Sequence, residues 1–89
     1  MSEKPFQDYW KHNKCFGCGH NEYGLQIKSH RVGDKSICIW KPEHYHAAGP
    51  ECILYGGLIS SVIDCHTVGS AIANEYKLEG RKYDSKPLI

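Results

Sequence analysis

The chain has 89 residues, enough for one small domain, and its 11 basic and 10 acidic residues leave a formal net charge of +1. That balance offers no electrostatic case for a nucleic-acid or anionic-membrane partner, and no apolar run approaches the roughly 20 residues of a membrane span. The opening MSEKPFQDYWKHNK lacks the apolar core of a signal peptide, so the five cysteines are expected as free thiols in a reducing cytoplasm rather than as a disulfide framework.

Residues 1–14 are polar with Phe6, Tyr9 and Trp10 interspersed at i, i+3 and i+4, a spacing that fits a short helix docked by its aromatics. CFGCGHNEYG, residues 15–24, has the glycine content of a loop. LQIKSHR alternates, with Leu25 and Ile27 on one side and Gln26, Lys28 and His30 on the other, and reads as a half-buried strand. VGDK supplies a turn. SICIWK alternates again, with Ile37 and Ile39 facing one way and Cys38 and Trp40 the other. The two runs predict an antiparallel hairpin over 25–40. KPEHYHAAGPEC, residues 41–52, reads as a long loop in which His44 and His46 face solvent.

From Leu58 to Tyr76 the period becomes helical, through Leu58, Val62, Cys65, Gly69, Ala73 and Tyr76. Ile59, Ile63 and Ile72 widen the stripe until most of the circumference is apolar or small, which predicts a helix buried on nearly all sides. Gly80 is placed to cap its C-terminus. Two strands cannot cover such a helix. Leu88 and Ile89 are expected to open another strand, and the domain is expected to be incomplete, with its missing strands in further sequence or in another chain.

The stretch ECILYGGLISSVIDCH carries the chemistry. Gly56 and Gly57 stand where the helix begins. A helix N-terminus has unpaired N–H groups and roughly half a positive charge, and glycine admits a ligand closely. Together these can form an oxyanion hole for a carbonyl oxygen that becomes negative. Asp64 follows seven residues after Gly57, within roughly 20° of the same face but roughly 10 Å further along the axis. An attacking group must lie about 3–3.5 Å from the reacting carbon. One helix therefore cannot serve one carbonyl with both groups, whereas two antiparallel copies can, and the spacing predicts a dimer with sites at its interface. The plainer reading makes Asp64 an acid on a minor polar face beside Ser60, Ser61 and Thr67. His66, two residues on, points to a different face and is expected to be a packed or surface histidine.

CFGCGHNEYGLQI, a hairpin, a loop containing GP, and then YGGLISSVIDCHTVGSAIA together resemble the hotdog-fold acyl-CoA thioesterases of the 4-hydroxybenzoyl- and phenylacetyl-CoA thioesterase superfamily, over roughly residues 10–80. The resemblance implies an α+β hotdog domain over 1–89, a long central helix wrapped by a curved antiparallel sheet. It divides into an N-terminal segment and loop at 1–24, a strand hairpin at 25–40 and the central helix at 57–79. It also implies hydrolysis of an acyl-CoA to a free acid and coenzyme A, with no cofactor beyond the coenzyme A of the substrate, in a homodimer or tetramer. By this likeness the Gly57 N–H polarises the thioester carbonyl, and Asp64 of the neighbouring subunit activates water or attacks directly. Tyr55, Gly56 and Gly57 would contact substrate. The family's usual histidine is Tyr55 here, which leaves open a non-catalytic hotdog protein that binds acyl thioesters. Without downstream strands, the 89-residue chain alone is expected to be inactive.

Cys15 and Cys18 form a C-x-x-C with His12 and His20 nearby, a set that suits tetrahedral Zn2+. A second ligand pair is not evident, because Cys38, Cys52 and Cys65 stand isolated in sequence. No metal is therefore assigned, and a small zinc-bound interaction module stands as the third hypothesis. The motif does not open a helix after a strand, against a redox role, and Gly17 and Gly19 lack the strand–helix context of a phosphate loop.

Overall fold

The structure is a computed structural model that describes residues 4–87. It holds a 3₁₀ turn at Phe6–Tyr9, strands β1 (Ser29–Val32) and β2 (Lys35–Cys38), and helix α1 (Gly56–Leu78). The strands pair antiparallel, Ser29 opposite Cys38 and Val32 opposite Lys35. The described residues form a small α+β unit in which the 3₁₀ turn and both strands pack on α1. The strand expected at Leu88 and Ile89 lies outside them.

The hairpin forms as predicted, but it is shorter. Gln26 sits at φ 59, a left-handed conformation that breaks an extended run. Leu25 and Ile27 instead donate their N–H groups to the Phe16 and Gly17 carbonyls at 2.8 and 2.9 Å, and the Gln26 amide donates to the Asn21 carbonyl at 2.9 Å. The first half of the predicted strand is thus spent holding the 15–24 loop. The hairpin turn has Gly33 at φ +64, the first central position, where glycine reaches positive φ without strain.

Side-chain alternation fixes which face meets the helix. Ser29 is fully buried and lies 2.9 Å from His66 on α1. Its partner Cys38 shares that face, whereas Ile37 pairs with His30 on the far side and Ile39 is 78% exposed. The predicted two-sidedness holds, and the cysteine side faces inward, because the register is tied by a polar network. The buried Gln7 accepts from the Ser29 N–H at 2.8 Å and donates to its Oγ at 3.2 Å, and that Oγ meets His66 Nδ1. Phe6, Ile27, Ala73 and Tyr76 complete the core. Tyr83 returns against it, its ring edge-on to Phe6 and Tyr9 at 5.3 Å each.

α1 matches the predicted helix closely in extent. At its C-terminus Gly80 has φ +68, its N–H bonds the Lys77 carbonyl, and Arg81 N–H bonds the Tyr76 carbonyl, the paired bonds of a Schellman cap. Among the described residues the predicted burial on nearly all sides is not found. Only Gly69, Ala73 and Tyr76 of α1 are buried, while Ile59, Ile63, Val68 and Leu78 are at least half exposed. The hairpin and the 3₁₀ turn cover one side, and the other stays open.

Gly69 permits the close approach on the covered side. A Cβ there would lie 2.6 Å from Gln7 Nε2, in the middle of a buried network whose members have nowhere to retreat. Gly69→Ala is expected to destabilise the fold by about 1–3 kcal/mol, as overpacking does, read as a lower urea midpoint with an unchanged slope.

Candidate functional site

The N-terminus of α1 is presented by a tight loop. Tyr55 N–H donates to the His46 carbonyl at 2.9 Å and Ala48 N–H to the Ile53 carbonyl at 2.6 Å, around an antiparallel bridge between Ala47 and Leu54. The stretch predicted as a long loop is thus internally braced. Tyr55 is the N-cap residue and makes no side-chain cap bond. Leu58 N–H closes back on the Tyr55 carbonyl, and the Gly56 and Gly57 N–H groups have no acceptor among the described residues. Two donors at the positive end of a 23-residue helix are free for a ligand. The Tyr55 ring lies over Gly57: a Cβ on Gly57 would sit 2.5 Å from its Cε2. Tyr55 is 57% exposed, so its ring can swing aside.

Beside this helix end is a groove of about 570 Å³ walled by Phe16, Tyr23, Trp40, Tyr45, Tyr55 and Leu58. Its volume falls within the range of about 300–1,000 Å³ typical of small-molecule sites. Trp40 is fixed by its indole N–H, which donates to the Leu25 carbonyl at 2.8 Å. His46, expected to face solvent, is half-buried, and its ring centroid lies 5.3 Å from that of Trp40 and 4.6 Å from that of Tyr45. His44 is exposed as expected. No spacing rule would have gathered these aromatics, which come from four separate segments.

Asp64 is exposed and has no hydrogen-bond or ion-pair partner among the described residues. It shares the open face of α1 with Gly57, about 10 Å further along the same straight run of helix. A single chain therefore does not bring the carboxylate to a carbonyl held at Gly57. His66 is turned inward to Ser29, the packed histidine expected.

A second constellation was foreseen only in part: the C-x-x-C pair is there, but its third member is Cys65 rather than His12 or His20. Cys65, isolated in sequence, packs from α1 against Cys15 and Cys18, and the three Sγ atoms all lie within 4.8 Å of one another. The environment separates the thiols. Cys15 is pulled below the ordinary thiol range by the Cys18 backbone N–H aimed at its sulfur, against partial burial, with the Gly17 N–H adding to the pull. Burial pushes Cys18 up. Cys65 is pushed up to about 12, first by burial and then by the neighbouring thiolates. In the reduced, metal-free protein Cys15 is expected to alkylate first near neutral pH. Cys65 is expected to be last and to stay protonated until strongly alkaline pH, read by timed iodoacetamide labelling and peptide mass spectrometry.

Compared with known proteins, the chain matches no family model, and neither the curated proteins nor the solved structures give a match. Among the described residues no helix is long and apolar enough to cross a membrane.

Proposed function

We propose that the chain belongs to a cytoplasmic acyl-CoA thioesterase of hotdog type, a homodimer or a tetramer built from such dimers, whose sites lie between subunits. One observation carries this reading. The unpaired Gly56 and Gly57 amides stand between Tyr55 and Leu58, two residues that wall an aromatic groove, at the N-terminus of the helix that carries an unpartnered, exposed carboxylate at Asp64. A long helix lying on an antiparallel hairpin supports the hotdog arrangement.

In the proposed mechanism the thioester carbonyl oxygen accepts from the Gly57 N–H, and the helix N-terminus stabilises the negative charge that develops there. Asp64 of the second subunit supplies the attack. It either takes a proton from water as the water adds to the carbonyl carbon, or adds directly to form an anhydride that water then opens. Collapse of the tetrahedral intermediate expels coenzyme A as its thiolate, leaving the carboxylic acid. The groove aromatics hold the acyl group or the apolar part of coenzyme A.

The Tyr55 ring over Gly57 favours a second reading, in which the site binds acyl thioesters without cleaving them. Both readings predict that coenzyme A thioesters change the emission of Trp40, a groove residue. They part on turnover. With a panel of acyl-CoA substrates and the full-length protein, the hydrolase reading expects hydrolysis, and it expects Tyr55→His to retain or raise it. Binding with no hydrolysis in either form would establish the second reading.

A further inference from the structure

Three thiols meet where the 15–24 loop crosses α1, and the surrounding backbone is arranged around their sulfurs. We propose that Cys15, Cys18 and Cys65 bind one Zn2+ ion in a three-thiolate site whose fourth position is open to solvent. The C-x-x-C segment is folded as a knuckle. Gly17 N–H donates to Cys15 Sγ at 3.3 Å, Gly19 N–H closes the turn on the Cys15 carbonyl at 2.8 Å, and Asn13 Nδ2 points to Cys18 Sγ at 3.7 Å. Donors aimed at sulfur stabilise the thiolate form that a metal requires.

The third sulfur comes from across the fold. Tetrahedral Zn2+ with bonds of about 2.3 Å places its sulfurs about 3.8 Å apart. The three Sγ atoms are already within 4.8 Å, so closing on an ion moves none of them past its neighbours by more than about 1 Å. Glycine at position 17 makes that possible. A Cβ there would lie 2.5 Å from Cys65 Sγ, and any larger residue at that position would hold the helix thiol off. All three cysteines are free. Three soft donors with no carboxylate among them select a thiophilic ion over Mg2+ or Ca2+. Among the described residues no fourth histidine, cysteine or acidic ligand atom joins the group, and Cys15 is exposed, which puts the open coordination position on the solvent side. Three thiolates leave Zn2+ with one net negative charge. The Lys28 ammonium bonds the Cys18 carbonyl at 2.7 Å and pairs with the Asp8 carboxylate at 2.9 Å, which braces the loop against the 3₁₀ turn.

Such an ion would fasten the loop that carries Phe16, a wall of the groove, to α1 one residue beyond Asp64. The inference does not rest on the thioesterase reading, because metal binding is measured without an acyl substrate. The test uses the reduced, metal-free protein and Co2+ as an optical probe. One equivalent is expected to bind with a thiolate-to-cobalt charge-transfer band and the strong visible bands of tetrahedral Co2+, and Zn2+ is expected to displace it. Cys65→Ser is expected to lose about one third of the charge-transfer intensity and to bind Zn2+ at least about tenfold more weakly, whereas Cys52→Ser changes neither. Where Cys65→Ser does not fold, the unmodified chain decides. Zn2+ should protect Cys15, Cys18 and Cys65 from iodoacetamide and leave the exposed Cys52 labelling at its metal-free rate. Failure to take up Co2+, a full charge-transfer band in folded Cys65→Ser, or Cys65 labelling unchanged by Zn2+ would each overturn the proposal.

Discussion

Asp64→Asn is expected to leave the fold intact and to lower acyl-CoA hydrolysis by the full-length protein about 10²–10⁴-fold, the range ascribed to a positioned base. The loss should fall on kcat, because asparagine keeps the size and polarity of the side chain and removes only its ability to take a proton or attack. The stability prediction follows from the surroundings. Asp64 is exposed and bonded to nothing among the described residues, and substitutions at such positions usually change stability by less than about 0.5 kcal/mol. A polar-face aspartate with no catalytic part would show the same unchanged stability and no change in kcat. The two readings therefore separate on turnover alone, with thermal denaturation as the control.

Ile63→Glu is expected to have the second large effect. Ile63 is 61% exposed on the open face of α1, one residue before Asp64 and one turn beyond Ile59, which is 50% exposed. An exposed apolar pair beside the acid proposed to act in catalysis is expected to be covered. In a two-fold dimer the patch meets its own copy, so one substitution introduces two charges into the interface. Each buried charge without a partner costs about 3–5 kcal/mol, so the dimer should weaken by at least about 100-fold. Hydrolysis should fall in parallel, as sites shared between subunits are lost. Circular dichroism should be unchanged, since the side chain supports nothing inside its own chain. A monomer that keeps its full activity would separate catalysis from association and remove the interfacial site.

The local features were legible because local rules govern them. The 3.6-residue period of Leu58, Val62, Cys65, Gly69, Ala73 and Tyr76 predicted α1, and Gly80 marked its end. VGDK predicted the turn of the hairpin. The features that depend on distant contacts were not legible. Gln26 breaks an alternating run because its side chain is used to hold the 15–24 loop. Ser29 rather than an isoleucine sets the inward face, because Gln7 and His66 reach it from 22 and 37 residues away. The aromatic groove and the three-cysteine cluster share this character. Each joins side chains from separate segments, and of the cluster the sequence showed only the C-x-x-C of Cys15 and Cys18, while Cys65 on the helix gave no local sign that it joins them. Composition alone made α1 look buried all round, but burial depends on what the rest of the chain places against each face.

The interfacial site is tested most directly by mixing two inactive proteins. Gly57→Pro removes an N–H donor that no carbonyl accepts among the described residues, so no intrahelical bond is lost, with the exposed Tyr55 ring swung off the added carbons, and Asp64→Asn removes the acid. When the two are unfolded together and reassociated at equal concentrations, half of the dimers should be mixed. Each mixed dimer has one site that unites an intact Gly57 with the other subunit's intact Asp64, so activity should return to about a quarter of the wild-type value. No recovery above either variant alone, with mixed dimers shown to form, would contradict a site shared between subunits.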